Sequence, residues 1–112
     1  MLFQASITIP KNTLSSAPVM VILGIAQGII TKIMVHPHPG HAGLAHCIIQ
    51  FQGTQIAPST TDMDFHGDTF PIDWDEYLTI DQPPLELEIL GWNEDDTYEH
   101  TFDIYVAMHL SG

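Results

Sequence analysis

The feature that most constrains this chain is a two-residue alternation of apolar and polar side chains that recurs between turn signals. Leu2 to Ile9 places Phe3, Ala5, Ile7 and Ile9 on one face, and Pro10 ends the run. Leu85, Leu87 and Ile89 alternate with Glu86 and Glu88. Thr97 to Leu110 sets Tyr98, His100, Phe102, Ile104 and Val106 against Glu99, Thr101, Asp103 and Tyr105. No segment shows a 3.6-residue period. A period of two is that of a strand with one buried face, because successive side chains leave a pleated backbone on opposite sides. The chain is predicted to be all-β.

The remaining strands follow from composition and punctuation. Val19 to Ala26 and Ile29 to Val35 are β-branched and aliphatic runs about the turn signal Gln27-Gly28, and are predicted to pair as a hairpin. Leu44 to Phe51 is a further strand, and Gln52-Gly53 turns it into a short Thr54 to Ala57 segment. Residues 58–67, rich in Ser, Thr, Asp and Gly, read as a long loop. Thr69 to Trp74 and Tyr77 to Ile80 are short strand candidates. The last two alternating runs are predicted to form a hairpin across the polar turn from Trp92 to Asp96. About eight strands at this spacing give an antiparallel two-sheet sandwich, of jelly-roll or Greek-key type. A chain of 112 residues builds one core, so residues 1–112 are expected to be a single domain.

Charge excludes some functions. Two lysines stand against 14 carboxylates, a formal net charge of −12. Displacing counterions from phosphates requires a cationic surface, so neither a nucleic acid nor an anionic membrane is an expected partner. The first acidic residue is Asp62; the preceding residues carry only Lys11, Lys32 and four histidines. This asymmetry has two readings: a molecule with two different faces, or acidic loops that simply fall late in the chain. Strand edges are commonly guarded by charge or proline. The N-terminal half has few such guards, so its strands are expected to pair with, or pack on, other chains. Cys47, alone in the chain, makes no internal disulfide and is expected to be a core thiol. No secretory signal or membrane-spanning run is visible, so synthesis in a cytoplasm is expected.

Several groups of residues could carry chemistry. In VHPHPGHAGLAHC, His36 and His38 share a side if extended, and His41 follows. This is ligand spacing for zinc, but no carboxylate lies nearby in the sequence. The His-x-His resembles that of cupins, which are β-sandwich metalloproteins. The cupin motif continues to a glutamate, whereas here the chain reads GHAGLAH, so the cupin function does not carry over. In TDMDFHGDTFPID, Asp62, Asp64, His66, Gly67, Asp68 and Asp73 fall at positions of a calcium loop, but His66 and the short Asp73 are poor matches and no helices flank it. Asp73, Asp75 and Glu76 offer carboxylate pairs of the kind glycosidases use. Trp74, Trp92, Tyr77 and Tyr98 offer a sugar-stacking surface, although such aromatics are more often core. The run Asn93-Glu94-Asp95-Asp96 could join a calcium site or meet a basic partner, but such runs are mostly solvated turns, and it reads as one. Ser15, Ser16 and Ser59 lack a nucleophile context.

ITIPKNTLSSAPV, PGHAGLAHCIIQFQGTQIAPS and LEILGWNEDDTY together resemble small β-sandwich virion structural proteins of tailed phages and related viruses. The resemblance implies a non-enzymatic subunit of a viral particle, as a head decoration, fibre or spike. Its implied partners are further copies of itself and a capsid or other virion protein, and its place is the virion. No catalytic residue and no cofactor are expected. The alternative is a small module that binds zinc through His36, His38 and His41, calcium through Asp62, Asp64 and Asp68, or carbohydrate.

Overall fold

The computed structural model describes residues 1–38, 44–57, 65–66 and 72–110. Nine strands run through them: β1 (Leu2–Ile9), β2 (Val19–Gly24), β3 (Gly28–Pro37), β4 (Ala45–Phe51), β5 (Thr54–Ala57), β6 (Phe65–His66), β7 (Ile72–Ile80), β8 (Glu86–Asn93) and β9 (His100–Leu110). They form two antiparallel sheets, so the all-β sandwich expected from the alternation is the fold. Sheet A has the order β1-β9-β3-β7. Sheet B has the order β2-β8-β4-β5, with β6 also on β4.

Successive strands mostly change sheet, and the antiparallel pairs are nested. β4 pairs β5, β3 pairs β7, β2 pairs β8 and β1 pairs β9. This is a jelly roll: one long hairpin, rolled so that β9 also meets β3 and β8 also meets β4. The roll corrects both long-strand hairpins expected from the sequence. β2 and β3 lie in opposite sheets, as do β8 and β9. Gln27 and the segment 94–99 therefore carry the chain across the sandwich instead of reversing it within one sheet. The two strands expected between Thr69 and Ile80 are a single strand, β7. The Gln52-Gly53 turn is present, with φ of 52° and 79°. Positive φ at both central residues suits the tight two-residue turn between β4 and β5.

The inward residues form one apolar cluster between the sheets. Ile7, Ile9, Ile33, Val35, Phe102, Ile104 and Val106 from sheet A meet Cys47, Ile49, Leu87 and Ile89 from sheet B. Each large aliphatic or aromatic side chain buried here contributes roughly 1.5–3 kcal/mol. Cys47 is a buried free thiol, as expected. β3 keeps its inward face through a bulge: the register shifts between Ile30 and Lys32, so Ile30 and Ile33 both point inward although they are three residues apart.

The sheet order also resolves the charge asymmetry. Strands from the acid-free half alternate with strands from the acidic half in sheet A, so the two halves are not two faces. They differ at the edges instead. β1 packs against β2 and β8 across the sandwich, so β1 and β2 are neighbouring edges of the two sheets, and neither contains a charged residue or a proline. On the other side β7 is the edge of sheet A, and its sequence IDWDEYLTI holds three carboxylates.

Candidate interaction surfaces

The His-rich stretch ends β3. Pro37 is buried, and His36 and His38 on either side of it are exposed. The carboxylate missing from the local sequence comes from β9. His36 is the cross-strand partner of Asp103, and His38 Nε2 lies 2.7 Å from Asp103 Oδ2. On its other side, Ser6 Oγ donates to Asp103 Oδ1 at 2.6 Å. Burial pushes the Asp103 pKa up, but the Ser6 hydroxyl and then His38 outweigh it and hold the group below its ordinary value. The order of these groups matters chemically. A serine relay needs the imidazole between hydroxyl and carboxylate. Here the carboxylate is in the middle, so no imidazole stands between Ser6 and Asp103, and Asp103 acts as a tie between β1, β9 and the end of β3.

Zinc and calcium candidates fall mostly elsewhere. His41, Asp62, Asp64 and Asp68 lie outside the described residues. Among the described residues no three His, Cys, Asp or Glu side chains are grouped to hold a metal ion. Of the glycosidase candidates, Asp75 is exposed beside Lys32, at 3.9 Å, and Glu76 lies where the β3–β7 register shifts between Leu78 and Asp75.

The acidic run after β8 is a built corner rather than a solvated turn. The buried Asn93 donates through Nδ2 to the carbonyls of Ile9 and Tyr98, at 3.2 and 2.9 Å. Its Oδ1 accepts from the Asp95 N–H at 2.9 Å. Asp95 Oδ1 in turn accepts from Thr97 and Tyr98 N–H, and Oδ2 meets His100 Nε2 at 2.8 Å. The Thr97 backbone bond and then the His100 contact hold the Asp95 carboxyl below its ordinary value. Tyr98, expected on the inward face, is 69% exposed because it belongs to this corner and not to β9.

The outer face of sheet A is mixed: Gln4, Ser6, Thr8, Thr101, Asp103 and His36 lie on it, with Tyr105 and Met34 in the cross-strand row of Gln4. Sheet B presents an apolar row instead: Met20, Leu90 and Ile48 are cross-strand neighbours on β2, β8 and β4. Ile22 continues the row on β2. Trp92 stacks on His46 above it, with ring centroids 5.5 Å apart and planes within 10°. Trp92 is therefore a half-buried part of this face, and a cavity of about 250 Å³ beside it is lined by Asn12, Leu14 and Glu94. Met20, Ile22 and Ile48 carry no mark of this in the sequence, because an apolar residue in a strand gives no sign of which face it occupies when its neighbours are apolar too.

No protein-family model matches the chain, and no curated protein matches it. Solved structures share its fold. A chain of the cyanophage Pam1 capsid asymmetric unit is similar over 99% of this chain and 84% of its own length, with a TM-score of 0.65 and 12% identity. The crystal structure of FLHE is similar over 97% of each chain, with a TM-score of 0.50 and 12% identity. A Yersinia pseudotuberculosis-derived mitogen matches over 100% of this chain and 89% of its own, with a TM-score of 0.47 and 13% identity. At such identities the likeness is one of fold.

Proposed function

We propose that the protein is a non-enzymatic structural subunit of a viral particle or a similar assembly. It acts by self-association and by binding neighbouring subunits, as a head decoration, fibre or spike component. Residues 1–112 act as a single unit, without a cofactor, in the virion. The fold shared with a chain of a phage capsid supports the setting. Fold alone does not carry a function, so the reading rests on the surface.

The observation that carries it is the pair of unguarded edges. β1 and β2 lie one above the other, with no charge and no proline in either. An edge strand offers a row of backbone N–H and C=O groups, and a second copy can pair with it at little cost. The acidic β7 edge does not offer the same invitation, since like charges would face each other. Self-association through the β1/β2 side therefore leaves the carboxylates of β7 outward.

Gln4→Lys together with Thr8→Lys places guards on β1 at exposed positions without touching the core. The expected result is loss of higher-mass species in light scattering with an unchanged circular dichroism spectrum. A wild type and a variant of identical mass would overturn the proposed edge contact.

A further inference from the structure

The outer face of sheet B combines two features. Its centre is apolar: Met20 and Ile22 are 53% and 45% exposed, and Leu90, Ile48 and Trp92 beside them are half-buried. A contiguous exposed apolar row of this kind marks a contact surface more often than a bare one. Along β8, Leu90 and Trp92 are flanked by acid on both sides. Glu88 and Glu86 follow Leu90 on the same face of β8. Beyond Trp92 stands Glu94, whose side chain is 64% exposed and lies 3.5 Å from His46 Nε2. Of the chain's two lysines, Lys32 sits beside Asp75 in sheet A, and Lys11 precedes Asn12, whose N–H bonds the Asp95 carbonyl near the Glu94 end.

This pattern selects among occupants. A second copy laid face to face with its strands parallel or antiparallel would bring acid against acid, because acid flanks the apolar residues on both sides along β8. Each copy also carries a net charge of −12. Juxtaposed like charges oppose such a contact, and a cationic partner is attracted by the same field. From Glu88 to Glu94 is six residues of nearly extended chain, or about 20 Å.

We infer that the outer face of sheet B docks a different protein chain, one that presents a short apolar ridge flanked by lysine or arginine at about that spacing. The inference rests on the assembly reading and names the partner of one of its contacts. Self-association belongs to the β1/β2 edges, and this face belongs to the chain on which the subunit sits. Apolar burial supplies the attraction, and the flanking ion pairs supply orientation and rejection of a second copy.

A synthetic peptide, Lys-Thr-Leu-Thr-Leu-Thr-Lys, carries two leucines and two terminal lysines on one face of a strand, at the spacing of the acidic ends. Its titration into the isotopically labelled full chain, followed by amide chemical shifts, tests the inference. The expected result is saturable shifts confined to β2, β8 and β4, several-fold weaker at high salt. They should be lost in Leu90→Asp and in the more exposed Met20→Ser. Peptides with glutamate for lysine, or serine for leucine, should not bind. Equal binding of the glutamate peptide, shifts away from this face, or no shift at millimolar peptide would overturn the inference. So would a mass that doubles with added salt and returns to one chain in Met20→Ser, which would make the occupant a second copy. Oligomers that persist in Met20→Ser while no peptide binds would overturn this inference and leave the assembly reading standing. Loss of the oligomers in Gln4→Lys/Thr8→Lys with peptide binding retained would support both.

Discussion

His100 Nε2 stands 2.8 Å from Asp95 Oδ2, with the two side chains only 5% and 11% exposed. The pair closes the corner by which the chain leaves sheet B at the end of β8 and enters sheet A at β9. Asp95 is held below its usual carboxylate value of 3.8, first by the Thr97 N–H and then by His100. A carboxyl with a depressed folded pKa contributes stability above its unfolded value, and that contribution disappears as pH falls through the folded value. Asp95→Asn keeps an oxygen for the Thr97 N–H and removes the charge. The variant is expected to unfold at lower urea than wild type at pH 7. The gap should begin to narrow as the pH falls below the unfolded carboxyl value of about 4, and close as it passes through the lower folded value, where Asp95 in the wild type is protonated too. A gap of constant size from neutral to acid pH would contradict the role given to the charge.

Asp103 makes a milder prediction. Ser6→Ala removes one bond from a carboxylate on an exposed face, so the stability cost should stay below about 1 kcal/mol. The Asp103 pKa should rise towards its ordinary value, because the hydroxyl is the largest of the influences that lower it. Carboxyl titration by NMR reads this directly. An unmoved Asp103 titration would show that the Ser6 bond is not made in solution.

Gly91 tests the packing between β1 and β8. A Cβ there would lie 2.5 Å from Ile9 Cδ1 and 3.1 Å from Ile7 Cδ1, both side chains being fully buried. Gly91→Ala is expected to cost about 1–3 kcal/mol by overpacking. Gly24→Ala is the control, since a Cβ at Gly24 meets nothing within 4 Å. Equal denaturation midpoints for the two variants would contradict the close approach of β1 to β8.

What the sequence makes legible follows from these relationships. The alternation in β1, β8 and β9 is written residue by residue, so strand faces and fold class can be read from it. Pairing cannot, because a period of two says which side a residue faces and nothing about which strand lies alongside. Nested pairing in a jelly roll joins β1 to β9 and β2 to β8, and no local signal links them. Local signals alone therefore point β2 to β3, its neighbour in sequence, whereas the two lie in opposite sheets. The same limit hid the site around His38: its carboxylate partner is 65 residues away. Asn93 and Asp95 looked like solvated turn residues because polar turns and polar corners share a composition. The difference lies in the Ile9 carbonyl, brought to Asn93 from the other sheet. The unguarded N-terminal strands were legible as such, but their adjacency at one side of the sandwich was not.

The docking face makes its own prediction for recognition. Glu88→Lys with Glu94→Lys reverses both acidic ends and leaves Met20, Leu90 and Ile48 in place. The lysine-ended peptide is expected to lose its affinity and the glutamate-ended peptide to gain it, as ion-pair complementarity requires. Unchanged preference in the reversed variant would remove charge from the account of that face.

The central claim is that the chain works as an assembly subunit. Its most direct test is the mass of the purified protein by light scattering at high concentration, with grids stained from the same sample. Discrete oligomers, rings or fibres whose mass is a multiple of 12.4 kDa, dispersed by Gln4→Lys/Thr8→Lys, are the predicted result. A monodisperse species of 12.4 kDa at every concentration would contradict self-association through the β1 and β2 edges.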